Sequence, residues 1–491
     1  MAENDKKEEK YPTPEEKIVT TRHSVILNGK GLTYTATAGT LILKEEHEKE
    51  DKAEGEKAKA AIFFVAYTRD DTDPATRPIT FAFNGGPGSS SVWLHLGLLG
   101  PKRVQADEDG NAPPPPYRLV NNDYSMLDQT DLVFIDPVST GFSRAVPGEK
   151  PKEFHAFQKD IESVGDFIRL YTTRYQRWSS PKFLAGESYG TTRSAGLSGY
   201  LQERHGMYLN GIMLISSILN FQTAYFTPGN DLPYALFLPT YAATAWYHGR
   251  LAPDLQASLP QTLAEVEQFA QGEYTLALMQ GAALPAATRT AVAQQLARYT
   301  GLSADYVERT DLRIEIHRFC KELLRAQGRT VGRLDTRFTG LDRDAVGEYV
   351  EFDPSYAAIQ GPYTATLNDY MRRDLQFESD LPYEILTGRV WPWNYDSHQN
   401  RFVDVAETLR KAMSINPYLK VFIANGYYDL ATPYLATRYT VNHLGLATEL
   451  QANVHLTYYE AGHMMYVHRP SLAQLKEDMA TWMGTAVGGS S

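Results

Sequence analysis

The sequence predicts an α/β architecture, a mostly parallel twisted sheet flanked by helices and carrying an inserted helical cap. Three observations lead there. Short apolar runs alternate with helical periodicities in the first and last parts of the chain. Between about residues 220 and 385 the strand-like runs disappear, and Ala- and Gln-rich helical patterns replace them. Two of the apolar runs also end in glycine-rich turns, as strands of an open parallel sheet do where they enter helices.

The elements follow in chain order. Residues 1–20 are charge-rich, which predicts a flexible N-terminal segment, and Met1–Lys10 has no apolar core of the kind a signal peptide needs. Ser24 to Thr37 reads as two strands around an Asn28-Gly29 turn. Residues 46–58 form a second solvated, charge-rich stretch. Core strands are then expected at Ala61–Tyr67, Pro78–Phe83, Asp131–Asp136, Lys182–Ala185 and Ile212–Ser216, and apolar runs of this kind suit strands covered on both faces. Phe154, Phe157, Ile161, Val164 and Ile168 share one face of a helix. In the insertion, Leu263–Leu278 and Thr288–Tyr299 have helical texture, and the sheet resumes at Leu419–Ala424 and Val454–Tyr459. The expected organisation is one α/β domain from 21–219 and 386–485, a helical cap at 220–385 and a flexible tail at 486–491. An unrelated helical domain is the alternative for the insertion.

With 491 residues and 43% hydrophobic content, the chain can bury a sizeable core. It has no apolar run of the roughly 18 residues that a membrane span needs. A net charge of −11 gives no electrostatic reason to bind nucleic acid or an anionic membrane. The single cysteine, Cys320, excludes an intrachain disulfide. No metal site or cofactor is expected. His317 and Cys320 have no second ligand pair, and a buried thiol explains Cys320. The four prolines between Ala112 and Tyr117 are expected to form a stiff surface loop rather than a polyproline ligand.

The chemistry lies in the turns. Lys182-Phe183-Leu184-Ala185 leads into Gly186-Glu187-Ser188-Tyr189-Gly190 and then into a run able to continue as a helix. That strand, tight turn and helix make a nucleophile elbow with Ser188 at its tip. Pro78–Phe83 leads into Asn84-Gly85-Gly86-Pro87-Gly88, a loop able to supply one oxyanion-hole amide, from Gly86, beside that of Tyr189. Downstream, Asp429 and His463 each follow a buried-looking strand, in the chain order Ser, Asp, His. His463 would be the general base and Asp429 would orient it. Trp93, Phe142, Tyr427, Tyr428 and Tyr466 lie near these loops and could line an aromatic pocket, although core packing explains each nearly as well.

Asn84–Ser90, Phe134–Ser143, the elbow, Asn425–Asp429 and Gly462-His463-Met464 together resemble the serine carboxypeptidase family from about residue 60 to residue 480. The resemblance implies an α/β-hydrolase fold and removal of single residues from peptide C-termini. It also implies a Ser188–Asp429–His463 triad, and oxyanion amides on Gly86 and Tyr189. Of the group that holds the substrate's C-terminal carboxylate in the family, Asn84 and Glu187 remain, and Gly85, Tyr428 and Met464 are further candidate substrate-binding residues. Peptides are the implied partners, and the oligomeric state is left open, a homodimer included. Relatives of this type are often exported. A periplasmic or secreted location after loss of a signal peptide is therefore slightly favoured over a cytoplasmic one.

Two departures stand out. Well-studied eukaryotic members carry a tryptophan where this chain has Ala82, and a glutamate where it has Leu98. In the family that glutamate and the one matching Glu187 share a proton and hold the substrate's carboxylate at acidic pH. Its loss predicts activity closer to neutral pH. It also keeps open an esterase, amidase or acyltransferase without strict C-terminal recognition. Eukaryotic members are disulfide-stapled as well, and Ser89 stands where they have a cysteine, which makes this chain similar to a bacterial-type member. A non-catalytic binding protein on the same scaffold is the reading from another class.

Overall fold

The structure is a computed structural model in which residues 14–49 and 52–488 are described. One large sheet organises it. The strands are β1 (Ile18–Leu27), β2 (Lys30–Lys49), β3 (Lys52–Arg69), β4 (Ile79–Phe83), β5 (Asp131–Ile135), β6 (Lys182–Ser188), β7 (Gly211–Ser217), β8 (Lys420–Gly426) and β9 (Val454–Tyr459). Their spatial order is β1-β2-β3-β5-β4-β6-β7-β8-β9, and a short strand, Arg144–Ala145, pairs on β3. From β5 to β9 all neighbours are parallel, while β1, β2, β3 and β5 pair antiparallel.

Successive side chains point to opposite faces, and in the central strands both faces are buried. Phe63, Val65 and Tyr67 of β3 pack into one core layer, while Ile62, Phe64 and Ala66 enter the other. The second layer is closed by α1 (Phe157–Arg174) and α2 (Tyr189–His205). The first is closed by helical residues 94–99 and the C-terminal helix Arg469–Val487, through Leu475, Met479 and Trp482. Double coverage explains why these strands read as unbroken apolar runs.

Three expectations need correction. The solvated stretch at 46–58 continues the β2–β3 hairpin, with His47 opposite Gly55. Its backbone pairs while its charges stay in water, where Lys44 meets Glu56 at 3.5 Å and His47 meets Glu54 at 3.5 Å. The N-terminal segment expected to be flexible to residue 20 is already paired from Ile18, opposite Gly39, and residues 1–13 lie outside the described part. At the other end the C-terminal helix runs to Val487, so the expected tail loses its first two positions, and 489–491 are not described.

Residues 220–385 divide between two neighbours. Helices such as Leu232–Tyr247, Leu259–Phe269 and Ala286–Thr300 share a core with Phe319, Cys320 and Val331. Helix Pro354–Arg373 packs Tyr363, Leu367 and Tyr370 onto the sheet's own core instead. Among the described residues no helix is long and apolar enough to cross a membrane, and no group of three or more His, Cys, Asp or Glu side chains is placed to hold a metal ion.

Candidate active site

Ser188 ends β6 and precedes α2 with φ +59° and ψ −128°, a backbone state that non-glycine residues rarely adopt. The fold imposes it by crowding. A Cβ on Gly186 would stand 2.2 Å from the Gly190 carbonyl oxygen, and one on Gly85 would stand 2.4 Å from the Tyr189 nitrogen. Gly85 therefore presses the 84–88 loop against the start of α2. Tyr189 is the first residue of that helix, and a helix's first N–H groups have no intrahelical acceptor. Its N–H is thus available beside Ser188.

Buried polar groups hold the glycine loop in place. Arg193 of α2 is 1% exposed, pairs with Asp160 of α1 at 2.8 Å and donates to the Asn84 carbonyl at 2.6 Å. Ser91 donates to Asp136 through both its N–H and its hydroxyl, each at 2.8 Å. Asn84 Oδ1 accepts from Leu94 N at 3.1 Å, whereas the buried Asn84 Nδ2 makes no close hydrogen bond among the described residues, although the Asn84 amide favours the ionised forms of Glu187 and Tyr466 beside it. An unmade bond of that kind costs about 1–3 kcal/mol unless a ligand completes it.

Asp429 is fully buried. It accepts from Ala431 N at 2.7 Å and Thr432 N at 3.1 Å through Oδ1, and from the Thr432 hydroxyl at 2.7 Å through Oδ2. Oδ2 also accepts the Nδ1–H of His463 at 2.8 Å, which leaves Nε2 as the imidazole's free nitrogen. Burial pushes the pKa of His463 down, but the charge and hydrogen bond of Asp429 outweigh it, and the net shift is upward from 6.5. The His463 loop is tied on two sides. Its carbonyl accepts from Ser216 Oγ at 2.5 Å, and its N–H donates to the Leu334 carbonyl at 2.6 Å. Asp335 adds a bond from Gly462 N at 3.1 Å and is itself paired with Arg337 at 2.7 Å.

Asn84, Gly85, Gly86, Glu187, Ser188, His463 and Met464 all border one cavity of about 480 Å³. Within it the Ser188 hydroxyl makes no hydrogen bond to His463 or to any other described residue. Contacts of this kind are often loose without substrate. Glu187 is buried and accepts from the Tyr466 hydroxyl at 2.5 Å. Burial raises its pKa to about 7, against the pull of His463 and Tyr466. Leu98, at the position of the family's second glutamate, is fully buried in the core under the sheet.

Tyr428, expected among the substrate-binding residues, does not border the cavity. The turn after β8 sends its ring toward the insertion, where it packs on Tyr247 at 5.3 Å among Leu236 and Leu263. Tyr427 stacks on Tyr458 at 5.8 Å, and Phe142 joins Phe63 at 5.2 Å in the core. Of the five aromatic residues expected near the pocket, Trp93 lines it, and Tyr466 stands behind it, bonded to Glu187. Sequence reasoning missed Thr432, Arg333, Asp335, Arg337 and Asp353. Of these, only Thr432, three residues after Asp429, carried a local signal, that of an Asx turn.

A family model described as serine carboxypeptidase matches residues 52–475. The pheromone-processing carboxypeptidase KEX1 of Saccharomyces cerevisiae is 33% identical over 160 residues, 31% of this chain and 20% of that protein. Serine carboxypeptidase-like 33 of Arabidopsis thaliana is 29% identical over 157 residues, 30% of this chain and 29% of that protein. The chain thus spans less than a third of the length of these curated relatives. The crystal structure of KEX1 from S. cerevisiae, a prohormone-processing carboxypeptidase, superposes with a TM-score of 0.58 at 15% identity, covering 92% of this chain and 91% of that one, which establishes the shared α/β-hydrolase fold. By the extent of the family match, the chain belongs to the serine carboxypeptidase family.

Proposed function

We propose that this protein is a serine carboxypeptidase that releases C-terminal residues from peptides through an acyl-enzyme on Ser188. The observation that carries the reading is the shared cavity. It puts a strained serine, an imidazole already paired with a buried carboxylate, and an Asn84 amide nitrogen without a close hydrogen bond within one substrate's reach. As Ser188 Oγ attacks the carbonyl carbon of the last peptide bond, His463 Nε2 takes its proton. The amides of Gly86 and Tyr189 meet the developing oxyanion. The C–N bond breaks and the proton passes to the leaving amine. Water then gives a proton to His463 and attacks the acyl carbon, and Ser188 recovers its proton as the ester breaks.

Asn84 Nδ2 and protonated Glu187 would hold the substrate's free carboxylate, with Gly85 and Met464 shaping the site around it. The insertion acts as a cap in this reading, since Arg333, Leu334, Tyr356 and Ile359 border the cavity. An exported location is compatible with the family and is the one we favour. Burial of Leu98 in the core supports the second reading, an esterase, amidase or acyltransferase, because Glu187 then lacks a carboxyl partner at that position.

One peptide offered with a free and with an amidated C-terminus, followed by mass spectrometry, separates the two. Stepwise loss of residues from the free form alone, absent in Ser188→Ala, is the expected result. Equal cleavage of both forms, or cleavage of simple esters only, moves the assignment to the second reading. A binding protein would leave Ser188 unlabelled by a fluorophosphonate.

A further inference from the structure

The cavity holds a cation that the proposed chemistry does not use. Arg333 borders it together with Ser188 and His463, on a segment contributed by the insertion, and its side chain is half-buried. Among the described residues its guanidinium makes no ion pair and no hydrogen bond. Two carboxylates border the same cavity, and both are engaged elsewhere. Asp353 accepts from the backbone N–H groups of Arg333 at 3.2 Å, Leu334 at 3.3 Å and Ser355 at 3.0 Å, and also from the Ser355 hydroxyl. Glu187 accepts from Tyr466 at 2.5 Å.

Asp353 thus fixes the backbone that carries Arg333 while leaving the guanidinium unpaired. The backbone is pinned a second time where the Leu334 carbonyl receives the His463 N–H at 2.6 Å. The backbone that carries Arg333 is therefore anchored beside that of His463, and the charge of Arg333 reaches the His463 ring, opposing the upward pull of Asp429 on it. A guanidinium presents a planar fork of donors that matches a carboxylate, and such pairs are among the stronger hydrogen-bonded contacts.

We propose that Arg333 anchors a carboxylate of the peptide substrate, so that the insertion supplies an anion-recognition group to the cavity. The carboxylate has two possible sources, the substrate's C-terminus and an acidic side chain on a residue flanking the scissile bond. The inference rests on the peptidase reading for its substrate class, but its test needs no turnover.

Binding is measured by calorimetry in a Ser188→Ala background, so that nothing is cleaved. Four peptides of one length are used, ending in acid or amide, with Glu or Gln in the last two positions. Adding Arg333→Ala or Arg333→Met is expected to weaken the peptides that carry the recognised carboxylate by roughly 10- to 100-fold. The neutral Gln amide should change by less than about twofold, within the scatter of surface substitutions. Arg333→Lys should restore part of the loss. Arg333→Met keeps the apolar stem, so it reports on charge even where Arg333→Ala disturbs the fold.

A loss that follows acid against amide assigns the C-terminal carboxylate, and one that follows Glu against Gln assigns a side chain. Equal weakening of all four peptides, no weakening of any, or no binding at all overturns the proposal. Failure of the peptidase reading shows up separately, as absence of cleavage by the protein that retains Ser188.

Discussion

The two walls of the cavity are built on different principles. The sheet wall, with the 84–91 loop and the 186–190 elbow, is fixed by backbone crowding and by the buried Arg193–Asp160 pair beneath it. The insertion wall, from Arg333 to Ile359, is held at its far end by Ile359, which packs into the sheet's core, and around Arg333 by polar ties such as Asp335–Arg337 and the Asp353 carboxylate. His463 is where they meet, held by Ser216 of β7 on one side and by Leu334 on the other. In the proposed mechanism the nucleophile therefore sits on the sheet wall, while its base depends on both. A change in the insertion should accordingly reach turnover and not only substrate choice.

The largest effect should come from the sheet side. Asp429→Asn keeps the volume but removes the charge that fixes the Nδ1–H tautomer of His463, so kcat should fall by about 10⁴-fold. The loss would be read as the rate of peptide cleavage, together with loss of fluorophosphonate labelling of Ser188. A decrease below tenfold would mean that Thr432 or another group orients the ring, and the contrast between the walls would lose its basis.

Next comes Arg337→Ala, on the insertion side. The Asp335–Arg337 pair is nearly dry, with side chains 6% and 5% exposed. Removing one partner leaves a buried charge uncompensated, which costs about 3–5 kcal/mol of stability. Asp335 also receives the Gly462 N–H, so the His463 loop should shift and kcat should fall by roughly 10- to 100-fold. Thermal unfolding and kcat, measured together, check this. Loss of stability with kcat intact would show that the sheet wall alone positions the imidazole.

The same contrast explains what the sequence could tell. Every element of the sheet wall has a local signature. Ser188 and Asn84 follow apolar strands within glycine-rich turns, Asp429 and His463 follow β8 and β9, and the doubly covered strands read as continuous apolar runs. The insertion wall has none. Asp335 meets Gly462 across 127 positions of chain, and Arg333 acquires meaning only because Asp353 turns its oxygens toward backbone rather than toward the guanidinium. Tyr428 failed for a related reason. Its place beside Asp429 is local, but the direction of its ring is set by the helices it packs against. Where charged residues stay solvated, as at 46–58, apolar alternation says nothing about backbone pairing, and the hairpin was invisible.

The smallest and most discriminating effect concerns pH. Glu187 belongs to the sheet wall, and the raised pKa of about 7 that burial gives it makes it a neutral donor to a carboxylate below that pH and a repelling anion above it. Cleavage of free-acid peptides should therefore decline as pH rises through about 7, whereas cleavage of an ester lacking a carboxylate should not. His463 sets the other limb, because its upward shift means that the base is lost as pH falls. The Tyr466 hydroxyl favours the ionised form of Glu187. Tyr466→Phe should then move the alkaline decline to higher pH, and Glu187→Gln should abolish it. Parallel pH profiles for the acid and the ester would show that Glu187 does not meet the substrate's carboxylate. Recognition of the C-terminus would then pass from the sheet wall to Arg333 on the other side of the cavity.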